Sequence, residues 1–212
     1  MPGYSLALPL GWHRLEVGDD DATVVRTAER RFLARDDDSA RSALARHRFR
    51  ETVTHLVGRA RATGVVDLFV HSGPTRTGIG PMSLAVSVLA APGLDDEALL
   101  RAGVDGSGPA LVRVDLPVGQ ALRGARCETV PLGDVVDDIV AVAGPDVSVA
   151  DRETALGEAR GHRCDSASVE YLVAVPGELG VRLVISFRAI GGRHVDAEAA
   201  HADSIVRTLR WT

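Results

Sequence analysis

The residue types most capable of covalent chemistry lie together at His162, Arg163, Cys164 and Asp165. A cysteine beside a histidine and an arginine can have a lowered pKa and act as a nucleophile. If these residues form a strand, immediate neighbours point to opposite faces, whereas His162 and Cys164, two residues apart, would lie on the same face. No base from another element can be identified beside the thiol. We therefore predict a loop or strand-entry position for this cluster, and no catalytic residue is assigned.

A second candidate is the glycine-rich loop 73–80, which has the glycine spacing of a phosphate-binding loop. It lacks the lysine and the following serine or threonine of a P-loop, and a strand pattern follows where a helix should supply its N-terminal amides. A hairpin turn is the favoured interpretation. If the loop binds a small molecule instead, the candidate ligand-binding residues are His71, Arg76, Gly78 and Gly80.

Histidines at helical spacing form the third candidate. His47, Glu51 and His55 are separated by four residues each, so they share one face of a helix. Metal sites need three or four converging ligands, and this stripe adjoins an apolar one, so no metal site is predicted. His194 and His201 lie seven residues apart in the last helical segment and are interpreted as surface residues. No cofactor is predicted.

The number of cysteines, the length of the apolar runs and the character of the first residues indicate the cellular compartment of the protein. Two cysteines, Cys127 and Cys164, are too few for a disulfide framework, and they could pair only if their strands are neighbours. No run approaches the ~18 apolar residues of a membrane span. Residues 1–10 have no basic segment ahead of an apolar run, so they do not form a signal peptide. A cytoplasmic location with reduced thiols is expected.

Charge limits the class of partner. The net charge is −5, which argues against nucleic acid as the main partner because phosphate binding needs concentrated positive charge. All 24 basic residues are arginine, and no lysine occurs, which is typical of a GC-rich, actinobacterial genome. The basic stretch 41–61 is interrupted by Glu51 and is interpreted as the solvated face of a helix.

Hydrophobic periodicity predicts one α+β domain over residues 1–212. Helices are expected from about residue 20 to 33, from 39 to 62, from 95 to 103 and from 195 to 208, with Gly64 ending the second. Strands are expected at 4–9, 65–70, 82–89, 111–116, 121–130, 169–175 and 181–187. The segment 133–161 is ambiguous. Because several strands are joined by short turns, the sheet should be antiparallel, with helices packed on it.

Four segments carry a resemblance to a known fold. They are LPLGW (8–12), LVRVDLPVGQALR (111–123), VEYLVAVPGELGVRLVISF (169–187) and ADSIVRTLRW (202–211). They resemble actinobacterial proteins of unassigned function that are similar to the PsbP-like fold. The resemblance implies an α/β/α sandwich, and members of that fold mostly bind proteins or ligands without chemistry, so it implies no activity.

Two functions are therefore compatible with the sequence. The favoured one is a non-enzymatic interaction or accessory protein that binds a protein partner or a second copy of itself. The alternative is a small-molecule binding protein, or an enzyme, that uses a cleft between the sheet and the N-terminal helices. The lining of that cleft would include His71, Arg76 and the loop 72–80.

Overall fold

A computed structural model describes residues 2–18, 20–32, 40–71, 82–90, 93, 95–105, 110–131, 157–159, 161–190 and 195–212. The chain divides into two compact units. The larger comprises residues 1–12, 69–128 and 165–212, and the smaller comprises residues 13–68 and 129–164. Each unit is described separately, and a single domain over residues 1–212 stays a prediction.

The described elements are of both classes. The helices are α1 (Asp21–Phe32), α2 (Ala40–Ala62), α3 (Asp96–Asp105) and α4 (Val195–Val206). The strands are β1 (Tyr4–Ser5), β2 (Trp12–Leu15), β3 (Val65–His71), β4 (Met82–Ala90), β5 (Leu111–Leu116), β6 (Gly119–Pro131), β7 (Arg163–Ala174), β8 (Val181–Ile190) and β9 (Arg210–Trp211). Seven strands form a sheet in the order β2-β3-β4-β8-β7-β6-β5, and β1 pairs with β9. The predicted α+β class with an antiparallel sheet is confirmed.

Three antiparallel pairings give the larger unit its register. β4 pairs with β8 so that Leu84 lies opposite Phe187, and β7 pairs with β8 so that Tyr171 lies opposite Ile185. β5 and β6 form a hairpin in which Leu116 lies opposite Gly119, with a two-residue turn between them. Alternate residues on these strands are buried, as the period of two requires. The buried set includes Met82, Leu84, Val86, Val169, Tyr171, Val173, Leu183, Ile185, Phe187 and Ala189.

Helix α4 and the residues just after it contribute the other half of this core. Ala202, Ile205, Val206 and Leu209 are fully or almost fully buried and belong to the same cluster as the strand residues. Their spacing places them on one side of the helix. β9 follows at once and pairs with β1, so that Tyr4 lies opposite Trp211.

The smaller unit is built on the contact between α1 and α2. Their buried residues include Val24, Val25, Ala28, Val53, Val57 and Ala60. Arg61 donates from Nε to the Val17 carbonyl (2.7 Å) and pairs through Nη1 with Asp21 (2.5 Å). Asp67 is buried, and its Oδ1 accepts a 2.6 Å hydrogen bond from Arg14 Nε. Helix α2 ends before Gly64, whose φ of 73° is the left-handed conformation predicted for it.

Two expectations differ from the structure. A single strand was expected at 4–9, whereas residues 4–5 and 12–15 form two strands in different sheets. Trp12 begins the second strand, and its ring belongs to the core of the larger unit. Strand β7 begins at Arg163, six residues earlier than expected. In the described part of the chain, no helix is long and apolar enough to cross a membrane.

Candidate functional site

Of the predicted ligand-binding residues, only His71 falls within the described chain. It ends strand β3 and is half-buried. Arg76, Gly78 and Gly80 lie outside the described residues, and so does His194. Ligand binding by the glycine-rich loop therefore stays a prediction. For His71, the residues that surround it show what it could bind.

His71 belongs to a cluster of rings that we call the imidazole–indole cluster: Trp12, His71, Phe187 and His201. The Trp12 and His71 rings meet edge to face, with centroids 5.6 Å apart. His201 stacks on the Trp12 indole with centroids 6.3 Å apart and an interplanar angle of 18°, and it meets Phe187 edge to face at 6.5 Å. Thus His201 is half-buried against aromatic rings, although a surface position was expected for it.

Two nitrogen atoms of this cluster have unmet hydrogen-bonding capacity. Trp12 Nε1 and His201 Nε2 are buried and have no hydrogen-bond partner among the described residues. Such an atom costs about 1–3 kcal/mol and calls for a water, ion or ligand as partner. Burial, followed by the neighbouring charge of His71, lowers the pKa of His201. His201 is therefore neutral at pH 7.

A second feature is a cleft of about 310 Å³ on the α4 side of the sheet edge, which we call the β5 cleft. It is lined by Val112, Val114, Asp115, Leu116, Arg123, Tyr171, Asp203 and Arg207. The residues come from β5, β6, β7 and α4, together with Arg207 just after that helix. Three apolar side chains of the edge strand share one face and form one wall. Arg123, Asp203 and Arg207 contribute charged groups from β6, from α4 and from the chain just after that helix. A volume of this size is at the lower end for small-ligand pockets.

A hydrogen-bonded network forms one wall of the β5 cleft. Arg123 donates to both carboxylate oxygens of Asp203, from Nε at 2.9 Å and from Nη2 at 3.1 Å. The Tyr171 hydroxyl donates to Asp203 Oδ1 and accepts from Arg123 Nε at 3.3 Å. Burial, with the hydrogen bond to Asp203, raises the pKa of Tyr171, which is therefore protonated at neutral pH. All three groups are committed to one another, so the network fixes α4 on the sheet.

Two other charged residues of the cleft are not committed in this way. Within the described residues, neither the Arg207 guanidinium nor the Asp115 carboxylate makes an ion pair or a side-chain hydrogen bond. Sequence reasoning did not find this cleft. Arg123 and Asp203 are 80 residues apart and belong to no motif, and only their register across β6, β7 and α4 brings them together.

The other residues singled out in the sequence, the histidines of α2 and the two cysteines, are not brought together in one site. His47 Nε2 lies 3.6 Å from Glu51 Oε1 on α2, and His55 is exposed. Among the described residues, no group of three or more His, Cys, Asp or Glu is placed to hold a metal ion. Cys127 and Cys164 are both free thiols. Although Cys127 is exposed, partial desolvation of its thiol and the charges of Asp196 and Glu198 raise its pKa, which disfavours the reactive thiolate.

A larger cleft, of about 490 Å³, lies at the turn between β7 and β8. Its lining includes Gly93, Gly177, Gly180 and Leu179, which is 99% exposed. The charged groups there have partners, because Arg182 donates to Asp96 (2.8 Å) and Asp95 caps the amide of Ala98 (2.7 Å). The β5 cleft is therefore the better candidate for binding.

No protein-family model matches this chain, and no curated protein matches it either.

The network predicts a cost for losing its acceptor. In the variant Asp203→Ala, the Arg123 guanidinium and the Tyr171 hydroxyl lose their shared acceptor, and the free energy of unfolding should fall by about 1–3 kcal/mol. Chemical denaturation measures this change. The control Arg207→Gln, four residues later in the chain, removes a charge without an ion pair and should change stability by less than about 0.5 kcal/mol. Equal effects of the two variants would contradict the assignment.

The buried imidazole predicts a pH dependence. The pKa of His201 is lower in the folded than in the unfolded chain, so the folded state favours the neutral imidazole. The stability that depends on this neutral form is fully present above about pH 6.5 and is lost as the pH falls towards the pKa of His201 in the folded chain. His71 faces it, and buried Glu198 lies one turn earlier on α4. Thermal melts between about pH 7.5 and 5 should show a shallower decline for His201→Gln than for the exposed control His162→Gln. If the melting temperatures of the two variants fall equally with pH, the assignment of a pH-dependent contribution to His201 is contradicted.

Proposed function

We propose that this chain is a non-enzymatic interaction protein that binds an extended segment of a protein partner along strand β5. The observation that carries the proposal is that an edge strand and a half-apolar cleft lie side by side. β5 has β6 as its only strand neighbour in the described part of the sheet. An edge strand leaves a row of backbone donors and acceptors available for another strand.

The side chains next to this edge suit a strand rather than a compact ligand. Val112 is 51% exposed, which is high for a valine in a sheet. Side chains of an added strand would alternate between the two faces, so that every second one meets the β5 cleft. There the wall offers Val112, Val114 and Leu116 for apolar contacts, and Arg207 for an acidic side chain. The proposal therefore specifies an extended segment that presents apolar residues to the cleft, and a carboxylate on the same face would add a pair with Arg207.

Binding without chemistry is supported by the state of the polar groups. Arg123, Tyr171 and Asp203 hydrogen-bond to one another, and the raised pKa of Tyr171 makes it a weak proton donor and keeps it from acting as a base. A general acid or base works best with a pKa near the working pH. These groups support the shape of the cleft, while Arg207 remains available to a partner.

Site-specific crosslinking tests the proposal. A photoreactive benzoylphenylalanine placed at position 112 in the expressed chain should form a covalent adduct that maps to one extended segment of a partner. The same group at Leu10, which is 98% exposed, should not form it. The adduct should disappear when Val114→Asp, in a chain that circular dichroism shows to be folded, places a charge in the apolar wall of the cleft. Identical adducts at both positions, or an adduct that survives Val114→Asp in the folded chain, would remove the support for β5.

A second candidate function, binding of a small molecule, is favoured by the imidazole–indole cluster. The buried donor Trp12 Nε1 and the buried His201 Nε2 both lack partners within the described chain. A small carboxylic acid could accept from the indole N–H, and its second oxygen could accept from the neutral His201 if Nε2 carries the proton. This candidate keeps His71 as a neighbouring residue and makes no use of the β5 cleft.

The variant Trp12→Phe tests the second candidate, since it keeps an aromatic ring and removes only the indole donor. In a thermal-shift screen with small carboxylic acids, an acid that binds the cluster should raise the melting temperature of the natural chain and leave Trp12→Phe unshifted. The matched control is Trp211→Phe, whose Nε1 also lacks a partner among the described residues. Equal shifts in all three proteins, or no shift with any acid, would reject the cluster as a ligand site.

A further inference from the structure

We propose that the partner of strand β5 is a second copy of this chain, paired antiparallel to it about a two-fold axis at Val114. This inference rests on the proposed function, since it names the occupant of the same edge. The observation behind it is the order of side chains along Leu111–Leu116. When this strand is aligned antiparallel with a copy of itself, each charged side chain meets one of opposite charge and each apolar side chain meets an apolar one. An isologous interface requires this property, because each residue must fit its symmetry partner.

The charges set the register. With Val114 opposite its own copy, Arg113 of each chain lies opposite Asp115 of the other, which gives two cross-strand ion pairs. Asp115 makes no ion pair within the described residues, so its carboxylate is available. Arg113 pairs with Glu97 of α3, but its side chain is 47% exposed and a guanidinium has five donors. It can therefore bind both carboxylates.

The neighbouring registers are disfavoured by the same charges. A shift that centres the axis on residue 113 places two arginines opposite each other, and a shift to residue 115 does the same with two aspartates. Like charges directly opposite are destabilising. A slip of one residue would place the apolar side of one copy beside the charged side of the other. Only the register centred on Val114 gives opposite charges at both positions.

The other face of the strand supplies apolar contacts in the same register. Val112 of each copy lies opposite Leu116 of the other, and the two Val114 side chains meet at the axis. The exposed Val112 would thus be covered. All three residues line the β5 cleft, so the two clefts would open into one groove on that side of the joined sheet. Each copy would then contribute residues to the other's binding surface.

A charge-swap series tests this dimer. Arg113→Asp and Asp115→Arg each place like charges opposite one another twice, and each should raise the dimer dissociation constant by about tenfold or more. The double variant R113D/D115R restores opposite charges and should dimerise like the natural chain. An equimolar mixture of the two single variants should form a heterodimer, because one chain then presents two aspartates where the other presents two arginines.

Sedimentation velocity at about 1–100 μM measures these constants, and native mass spectrometry identifies the heterodimer. A six-residue edge is short for a stable interface, so dissociation on dilution is expected. The control Glu97→Gln removes the negative charge of Arg113's partner within the chain and should leave the dimer intact. Circular dichroism and the melting temperature show whether each variant is folded. If one single variant unfolds, the other single variant and the double variant, which keeps one charge of each sign, still test the pairing.

The outcomes separate this inference from the proposed function. A natural chain that stays monomeric at all concentrations, together with a crosslink from position 112 to another protein, overturns the self-pairing and leaves the β5 function standing. A dimer that ignores both single swaps forms through another surface and also overturns the inference. A monomer with no site-specific crosslink from position 112 overturns both. Loss of the dimer in the single variants, with rescue in the mixture, establishes the pairing.

Discussion

The contact between helix α4 and one face of the sheet is the constraint on which the larger unit depends. Strand residues with period two meet helix residues with period 3.6, and the apolar residues of both belong to one core cluster. Residues 201 and 203 are about 200° apart around the helix, so His201 turns towards Trp12 while Asp203 turns towards Arg123. One helix thereby positions a residue of each candidate site, on opposite sides.

Periodicity explains what could be predicted from the sequence. The α+β class, the β7–β8 hairpin and the end of α2 at Gly64 follow from local patterns of apolar, turn and glycine residues. Strand β2 could not be predicted in this way. It has four residues and pairs with β3 across both intervening helices, so its partners are remote and its own pattern is too short to be distinctive.

The candidate site shows the same limit more sharply. Arg123, Tyr171 and Asp203 are ordinary residues in their own segments, and their relation exists only after three strands and a helix are in register. Local patterns indicate reactive residues only where these are close together in the chain, as in the cysteine cluster and the glycine-rich loop. The edge strand β5 has no such pattern, because its six residues become informative only when the strand is aligned with a second, antiparallel copy of itself.

The pairing of β1 with β9 has a consequence for biosynthesis. Tyr4 lies opposite Trp211, and the amide of Thr212 donates to the carbonyl of Gly3 at 2.9 Å. The first strand can therefore pair only after a segment about 200 residues later in the chain has been made, and the core face stays open until Ile205 and Leu209 have emerged. The larger unit can complete its folding only after that point, with the slow closure that contacts of large sequence separation impose. Its apolar strands are exposed to aggregation and to chaperones for that interval.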